Sequence, residues 1–180
     1  MTTQTSSVVI VNTGCANIYS VQCAFERLGV TVTVSDQPDV IRAADKVLLP
    51  GVGSAFAAMA SIKQKQLVTV LQSLTQPVLG ICLGMQLMAK SSNEKPGSHV
   101  AASKTDVVDC LGLIPTQIQR MEVGELVLPH MGWNRVTSKY DNPLFADIPD
   151  GEHFYFVHSF AVEDYAHTLA TCRYDSRLDA

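Results

Sequence analysis

The 180-residue sequence is short of charge: only 17% of its residues are Asp, Glu, Lys or Arg, and the formal net charge is −4. Lys and Arg form no cluster, so neither nucleic acid nor an anionic membrane is expected as a partner. The five cysteines (Cys15, Cys23, Cys82, Cys110 and Cys172) are odd in number and widely spaced, and no C-x-x-C pair occurs. That pattern argues against a disulfide framework or a zinc knuckle and fits a reducing, cytoplasmic setting. No two histidines stand at metal-ligand spacing with a carboxylate, so no metal is expected. The start of the chain, "MTTQTSSVVIVN", has no basic segment and only a short apolar run, unlike a signal peptide. The longest apolar stretch contains Cys82 and Gln86 and is too short to span a bilayer. There is no internal repeat, low-complexity tract or obvious linker. With 47% apolar residues, the reading is one globular domain over residues 1–180, large enough to bury a core.

What is present is a run of strand and helix signals. Residues 8–11 are continuously apolar, as in a strand covered on both faces. "TGCAN" reads as a turn. Asn17 can then cap a helix, "IYSVQCAFERLG", with Ile18, Val21, Phe25 and Leu28 at helical spacing and Gly29 as its stop. "VTVTV" reads as a second strand, and a polar segment leads to a third, "KVLLP". After the turn "GVGS", Ser54 can cap a long helix reaching about residue 74. Pro77 opens a fourth strand that runs into Cys82. The alternation predicts an α/β fold: a central, mostly parallel sheet with helices on both faces and sites at the carboxyl ends of its strands. Residues 91–102 read as a polar surface loop. The later chain is strand-rich, in "LVLPHMGWNRV", "HFYFVHSFAV" and "HTLATCRY", with "DNPLFADIPDG" as a turn-rich connection.

The chemistry concentrates at "QPVLGICLGMQLMAK". Cys82 lies between Gly80 and Gly84 at the seam of a strand and a helix. Glycines there let the chain reverse sharply and push the corner side chain outward. A helix start offers unpaired N–H groups and partial positive charge, which favour a thiolate. Hydrolases place a nucleophilic serine at the same kind of corner. A buried structural cysteine is the other reading, and Cys82 alone admits both. "PGVG" at residues 50–53 stands on the neighbouring turn, where glycine-rich backbone can aim N–H groups at an anion. The N–H of Leu83, next after the cysteine, is a second natural donor to an oxyanion. Gln86 lies one helical turn beyond Cys82, either a surface glutamine or a polar contact for substrate. His130 and His158 read as rings satisfied in or at the edge of a sheet, and Phe154, Phe156 and His158 as sharing one strand face. His99 reads as solvated.

Together, "GICLGMQ", "LPGVG", "NTGCANIYSV", "LPHMGWN" and "YFVHSF" resemble the class I glutamine amidotransferases, and more narrowly the glutaminase subunits of imidazole glycerol phosphate synthase, over residues 8 to about 174. The resemblance implies that Cys82 attacks the side-chain amide of glutamine, with the oxyanion held at Val52, Gly53 and Leu83. It implies that Gly51, Gln86 and the backbone of Ser159 and Phe160 meet the substrate, and that no cofactor is needed. It implies passage of ammonia to a (β/α)₈ cyclase partner in a heterodimer, in histidine biosynthesis, with Asn12, Asn17, His130, Met131, Trp133 and Asn134 near the interface. Trp133 could otherwise pack in a core. The family's His-Pro-Glu motif does not occur in the 180 residues. The sequence is therefore expected to lack its family's last segment and to be a poor glutaminase as it stands. A silent partner-binding subunit on the same scaffold is the competing reading. No histidine or glutamate is carried over to the missing roles, and the tail "YDSRLDA" departs from the family pattern.

Overall fold

The computed structural model describes residues 6–94, 107–162 and 165–174. Its contacts gather in two compact units, Met1–Ile118 and Gln119–Ala180.

In the first unit, β1 (Val8–Val11), β2 (Val32–Ser35), β3 (Lys46–Gly51) and β4 (Val78–Cys82) form a parallel sheet in the order β2-β1-β3-β4. Every residue of β1 and all of β3 after Lys46 are buried. Alternate side chains feed opposite faces. Val9, Val11, Val47 and Leu49 join the larger core cluster, while Val8, Ile10 and Leu48 meet Ile18, Val21 and Phe25. Those last three lie on α1 (Ile18–Arg27), which the Asn17 side chain caps by accepting the Ser20 N–H at 3.2 Å. The larger cluster is closed by α2 (Pro38–Ala43), α3 (Ala55–Gln64), α4 (Val68–Gln72) and α5 (Leu83–Met88). The Ser54 side chain accepts from Ala57 N–H at the start of α3.

Three sequence expectations are corrected here. The polar segment after the second strand contains α2, a short helix with Pro38 in its first turn and a single buried anchor, Ile41. The long helix predicted from Ser54 is two helices. The chain turns at Gln66, which has φ 58°, and so buries Leu67 and then Val70 and Leu71. The expected loop from residue 91 begins inside a strand. β5 (Ala89–Ser92) buries both serines and pairs antiparallel with β6 (Val108–Asp109) and parallel with the start of β7 (Ile114–Arg120). The rest of that loop, with His99, lies largely outside the described residues, as does "DSRLDA" of the tail.

The second unit is antiparallel. β8 (His130–Ser138) lies between β9 (His153–His158) and β11 (Ala170–Cys172). β10 (Phe160–Ala161) pairs with Gln119 and Arg120. The "DNPLFADIPDG" connection holds one 3-10 turn, Pro143–Phe145. The strand expected from Leu126 starts only at His130. Pro129 has no N–H to give a ladder, and Val127 is exposed. The strand-rich reading of this half of the chain holds.

Candidate active site

Cys82 ends β4 and directly precedes α5, with φ 53° and ψ −120°. A non-glycine residue held there costs on the order of 1–3 kcal/mol and persists only where the surroundings enforce it. The surroundings are the glycines. A Cβ on Gly84 would overlap the carbonyl oxygen of Leu49, and one on Gly80 would come within 2.5 Å of the Met85 Cα. A Cβ on Gly51 would lie 2.9 Å from Gly84 N and 3.0 Å from the Leu83 Cβ. The helix can thus seat against β3 and β4 only because these three positions are bare, and seating it turns the Cys82 side chain outward. Cys82 is exposed, whereas the other four cysteines are partly buried. Burial pushes the Cys110 thiol up to about 11 and raises that of Cys172. A raised thiol disfavours the thiolate, so burial works against nucleophilic character at both.

The residue paired with Cys82 across the sheet is Gly51, which opens the "GVG" turn, so cysteine and turn meet as the sequence predicts. The Val52 N–H donates to the Cys15 carbonyl at 2.8 Å. That carbonyl sits on a braced turn: Thr13 is fully buried, its Oγ1 accepts from Cys15 N–H, and its carbonyl accepts from the Ser61 hydroxyl at 2.5 Å. Gly53 has φ 92°. Leu83 is the first residue of α5, with its side chain buried. Gln86 is 8% exposed, which removes the surface reading. Asn12 and Asn17 bracket the Thr13 turn and accept from Gly14 N–H and Ser20 N–H.

Sequence reasoning missed Glu94. Its Oε2 accepts the N–H of Ala55, the first residue of α3, at 2.9 Å, just beyond the "GVG" turn. Burial raises its carboxyl, and the Ala55 N–H opposes that rise. Its place in a segment read as loop hid it, although a carboxylate closing an apolar helix-and-strand run was the available signal.

Ser159 and Phe160 belong to the second unit, where the Met121 N–H donates to the Ser159 carbonyl. There, β8 and β9 present two faces. One carries Met131 opposite Val157 and Trp133 opposite Tyr155, all four at least half exposed. Trp133 is 66% exposed, so it does not pack in a core. It meets Tyr155 edge to face at 5.6 Å. Tyr155 and Val157 were not singled out from the sequence, because every residue of "HFYFVH" suits a strand and only the register tells the faces apart. The opposite face carries His130, Asn134 and His158. His130 is 2% exposed, its Nε2 lies 2.7 Å from Asn134 Oδ1, and its Nδ1 lies 3.0 Å from His158 Nε2. His158 Nδ1 reaches the Phe160 carbonyl at 3.0 Å.

The exposed cysteine at a positive-φ strand–helix corner, with a glycine turn beside it, is the arrangement of an acyl-transfer nucleophile. The sequence model of the family described as "Glutamine amidotransferase class-I" matches residues 9–177. The chain therefore belongs to the class I glutamine amidotransferases. Within that class it is similar to the "Imidazole glycerol phosphate synthase subunit HisH" of Vibrio parahaemolyticus, at 48% identity over 173 residues, 96% of this chain and 82% of the relative. The protein of the same name from Colwellia psychrerythraea is 50% identical over 176 residues, 96% of this chain and 78% of the relative. A solved glutamine amidotransferase shares the fold with a TM-score of 0.65 at 13% identity, covering 91% of this chain and 79% of that one. Among the described residues, no helix is long and apolar enough to cross a membrane.

Proposed function

We propose that the chain is the glutaminase subunit of an imidazole glycerol phosphate synthase, acting in the cytoplasm in histidine biosynthesis. The Cys82 thiolate attacks the side-chain amide carbon of glutamine. The C–N bond breaks, ammonia leaves with a proton, and a glutamyl thioester remains. Water then releases glutamate and restores the thiolate. The observation that carries the reading is Cys82 itself, exposed at φ 53° and paired in register with Gly51.

The Leu83 N–H adjoins the corner and serves as one oxyanion donor. The Val52 N–H serves as the second once it leaves the Cys15 carbonyl, a rotation of the Gly51–Val52 peptide that Gly51 eases. Gly51 and Gln86, both in the first unit, are proposed to contribute to holding glutamine. No histidine of this sequence is assigned the proton-transfer step.

Ammonia passes to a (β/α)₈ cyclase subunit in a heterodimer. The stripe of Met131, Trp133, Tyr155 and Val157 supports this, because four large exposed apolar side chains in one register suit an interface core. Asn12 and Asn17 sit on a turn at the carboxyl end of β1 and are proposed to flank the same partner. A silent subunit would not need the strained cysteine, its three bare glycines and a buried Gln86, and that reading is not favoured.

Cys82→Ala tests the proposal. Glutamine hydrolysis and glutamine-dependent cyclisation should be lost, while supplied ammonium still supports the complex with its cyclase. Retained glutaminase activity in this variant would overturn the assignment.

A further inference from the structure

His130 is the one described residue of the second unit that is fully buried, at 2% exposed, yet no apolar core encloses it. Its ring lies between two aromatic faces: Tyr174, with centroids 4.1 Å apart and planes at 25°, and Phe156, at 5.0 Å and 16°. Three polar contacts run in line through it, from Asn134 Oδ1 to His130, from His130 to His158, and from His158 to the Phe160 carbonyl. Both ends of this line are acceptors. A carbonyl oxygen and an amide oxygen have no proton to give. Each end contact therefore needs an N–H from its ring, and the middle contact needs one more. That makes three protons on four ring nitrogens, whereas two neutral imidazoles bring two.

We propose that His130 and His158 act as one titrating pair that holds a single proton beyond those of two neutral rings, and that this proton locks the docking strand β8 to β9 and to the Phe160 backbone. The functional consequence rests on the docking reading above, but the proton count does not. With His158 donating to Phe160 and accepting from His130, both nitrogens of His130 are donors. A positive imidazole between two ring faces is in favourable surroundings, since the faces carry negative quadrupole charge. A reversed Asn134 amide would remove the need for the third proton. It would also turn its oxygen toward the Arg173 carbonyl, which the Asn134 Nδ2 now faces at 3.5 Å.

The neighbouring groups are few. The Tyr174 hydroxyl donates to the Val127 carbonyl at 2.7 Å and is therefore engaged elsewhere. β11 brings Cys172 opposite Val136. His153 lies opposite Arg135 at the other end of the β8–β9 pairing, and Arg120 lies opposite Phe160 in register. Among the described residues, no carboxylate is bonded to either ring. Burial lowers the readiness of His158 to take a proton, its bond to Phe160 opposes this, and a charge on His130 lowers it further. The pair thus resists a second added proton while its geometry demands the first. When the first is lost as pH rises, one of the three contacts has no donor.

Nitrogen-resolved NMR of the imidazoles in the intact chain at about pH 7 decides the proton count. Three N–H protons on the pair are expected, and two would overturn the proposal. Asn134→Asp, whose carboxylate stays an acceptor, should raise the pH at which the third proton leaves by about one unit or more. Asn134→Leu should lower it, and an unchanged titration in both variants overturns the proposal. Affinity for the cyclase should fall several-fold in the wild-type chain between about pH 7 and about pH 9, and later in Asn134→Asp. A flat profile while the proton count changes overturns the locking role but leaves docking intact. If no cyclase binds at any pH, the docking reading fails and the NMR count still decides the pair.

Discussion

The two units bury different things. The first buries apolar strands from both sides: β1 and β3 have scarcely an exposed residue, and the polar side chains Thr13, Gln86, Ser91 and Ser92 sit among them. In the second, the described residues alternate strictly along β8 and β9, half of each strand faces solvent, and the most buried side chain is a histidine held by hydrogen bonds. Parallel strands joined by helices are covered on both faces, whereas an antiparallel hairpin can leave one face open. The covered unit fixes the corner at Cys82, the proposed nucleophile, between packed elements, and the open one offers a surface. Stability should therefore be sensitive in the first unit, and binding and pH response in the second.

The sharpest way to break this contrast is Gly84→Ala. The added methyl has no room against the Leu49 carbonyl, so β3 and α5 must part, and a loss above about 4 kcal/mol is expected in denaturant unfolding. Leu49→Ala, at a fully buried position of the main cluster, should cost about 2–5 kcal/mol in the same measurement. Trp133→Ala should cost no more than about 1 kcal/mol of stability, mostly its edge contact with Tyr155, yet weaken cyclase binding by about 2 kcal/mol, read by calorimetry. A reversed ranking of the last two variants would show that the second unit is stabilised in the same way as the first.

The smallest effect is on acid sensitivity. His158 takes a proton less readily when folded than its ordinary value of 6.5, chiefly through burial. The unfolded chain then binds more protons below that value, so this contribution to stability is lost as pH falls through 6.5 and below. Trp133 is the sole tryptophan and lies in the second unit, so its fluorescence reports the melting of that unit. The melting temperature should drop by a few degrees between about pH 7 and about pH 5, and His158→Gln should flatten the slope.

How much was legible follows the same division. Strands buried on both faces announce themselves as unbroken apolar runs, so β1 and β3 were readable; β4, at the sheet edge with Leu79 48% exposed, was readable from its apolar run after Pro77, and the glycines around Cys82 named the corner. Gln86 was conspicuous for being polar in an apolar helix. What hid was set by tertiary packing. Gln66 adopts a glycine-like φ to bury Leu67, and nothing in glutamine's chemistry signals that. β5 is polar because its serines are buried among partners rather than exposed. α2 has one anchor, too few for a period to show. In "HFYFVH" the exposed Tyr155 and the inward Phe156 look alike until the register with β8 assigns their faces. His130 follows a proline and gives no sign that two rings will enclose it.

The contact of Gly51 with Gly84 and Leu83 also has a mechanical meaning. Because the backbones touch without intervening side chains, there is no compliant layer between the strand that leads into the glycine turn and the helix that directly follows Cys82. A push on the end of β3 is delivered to Cys82 undamped, as through a hinge pin rather than a cushion. A distortion of that turn by a partner or a substrate would be felt at the sulfur at once. No separate linkage is needed to transmit it.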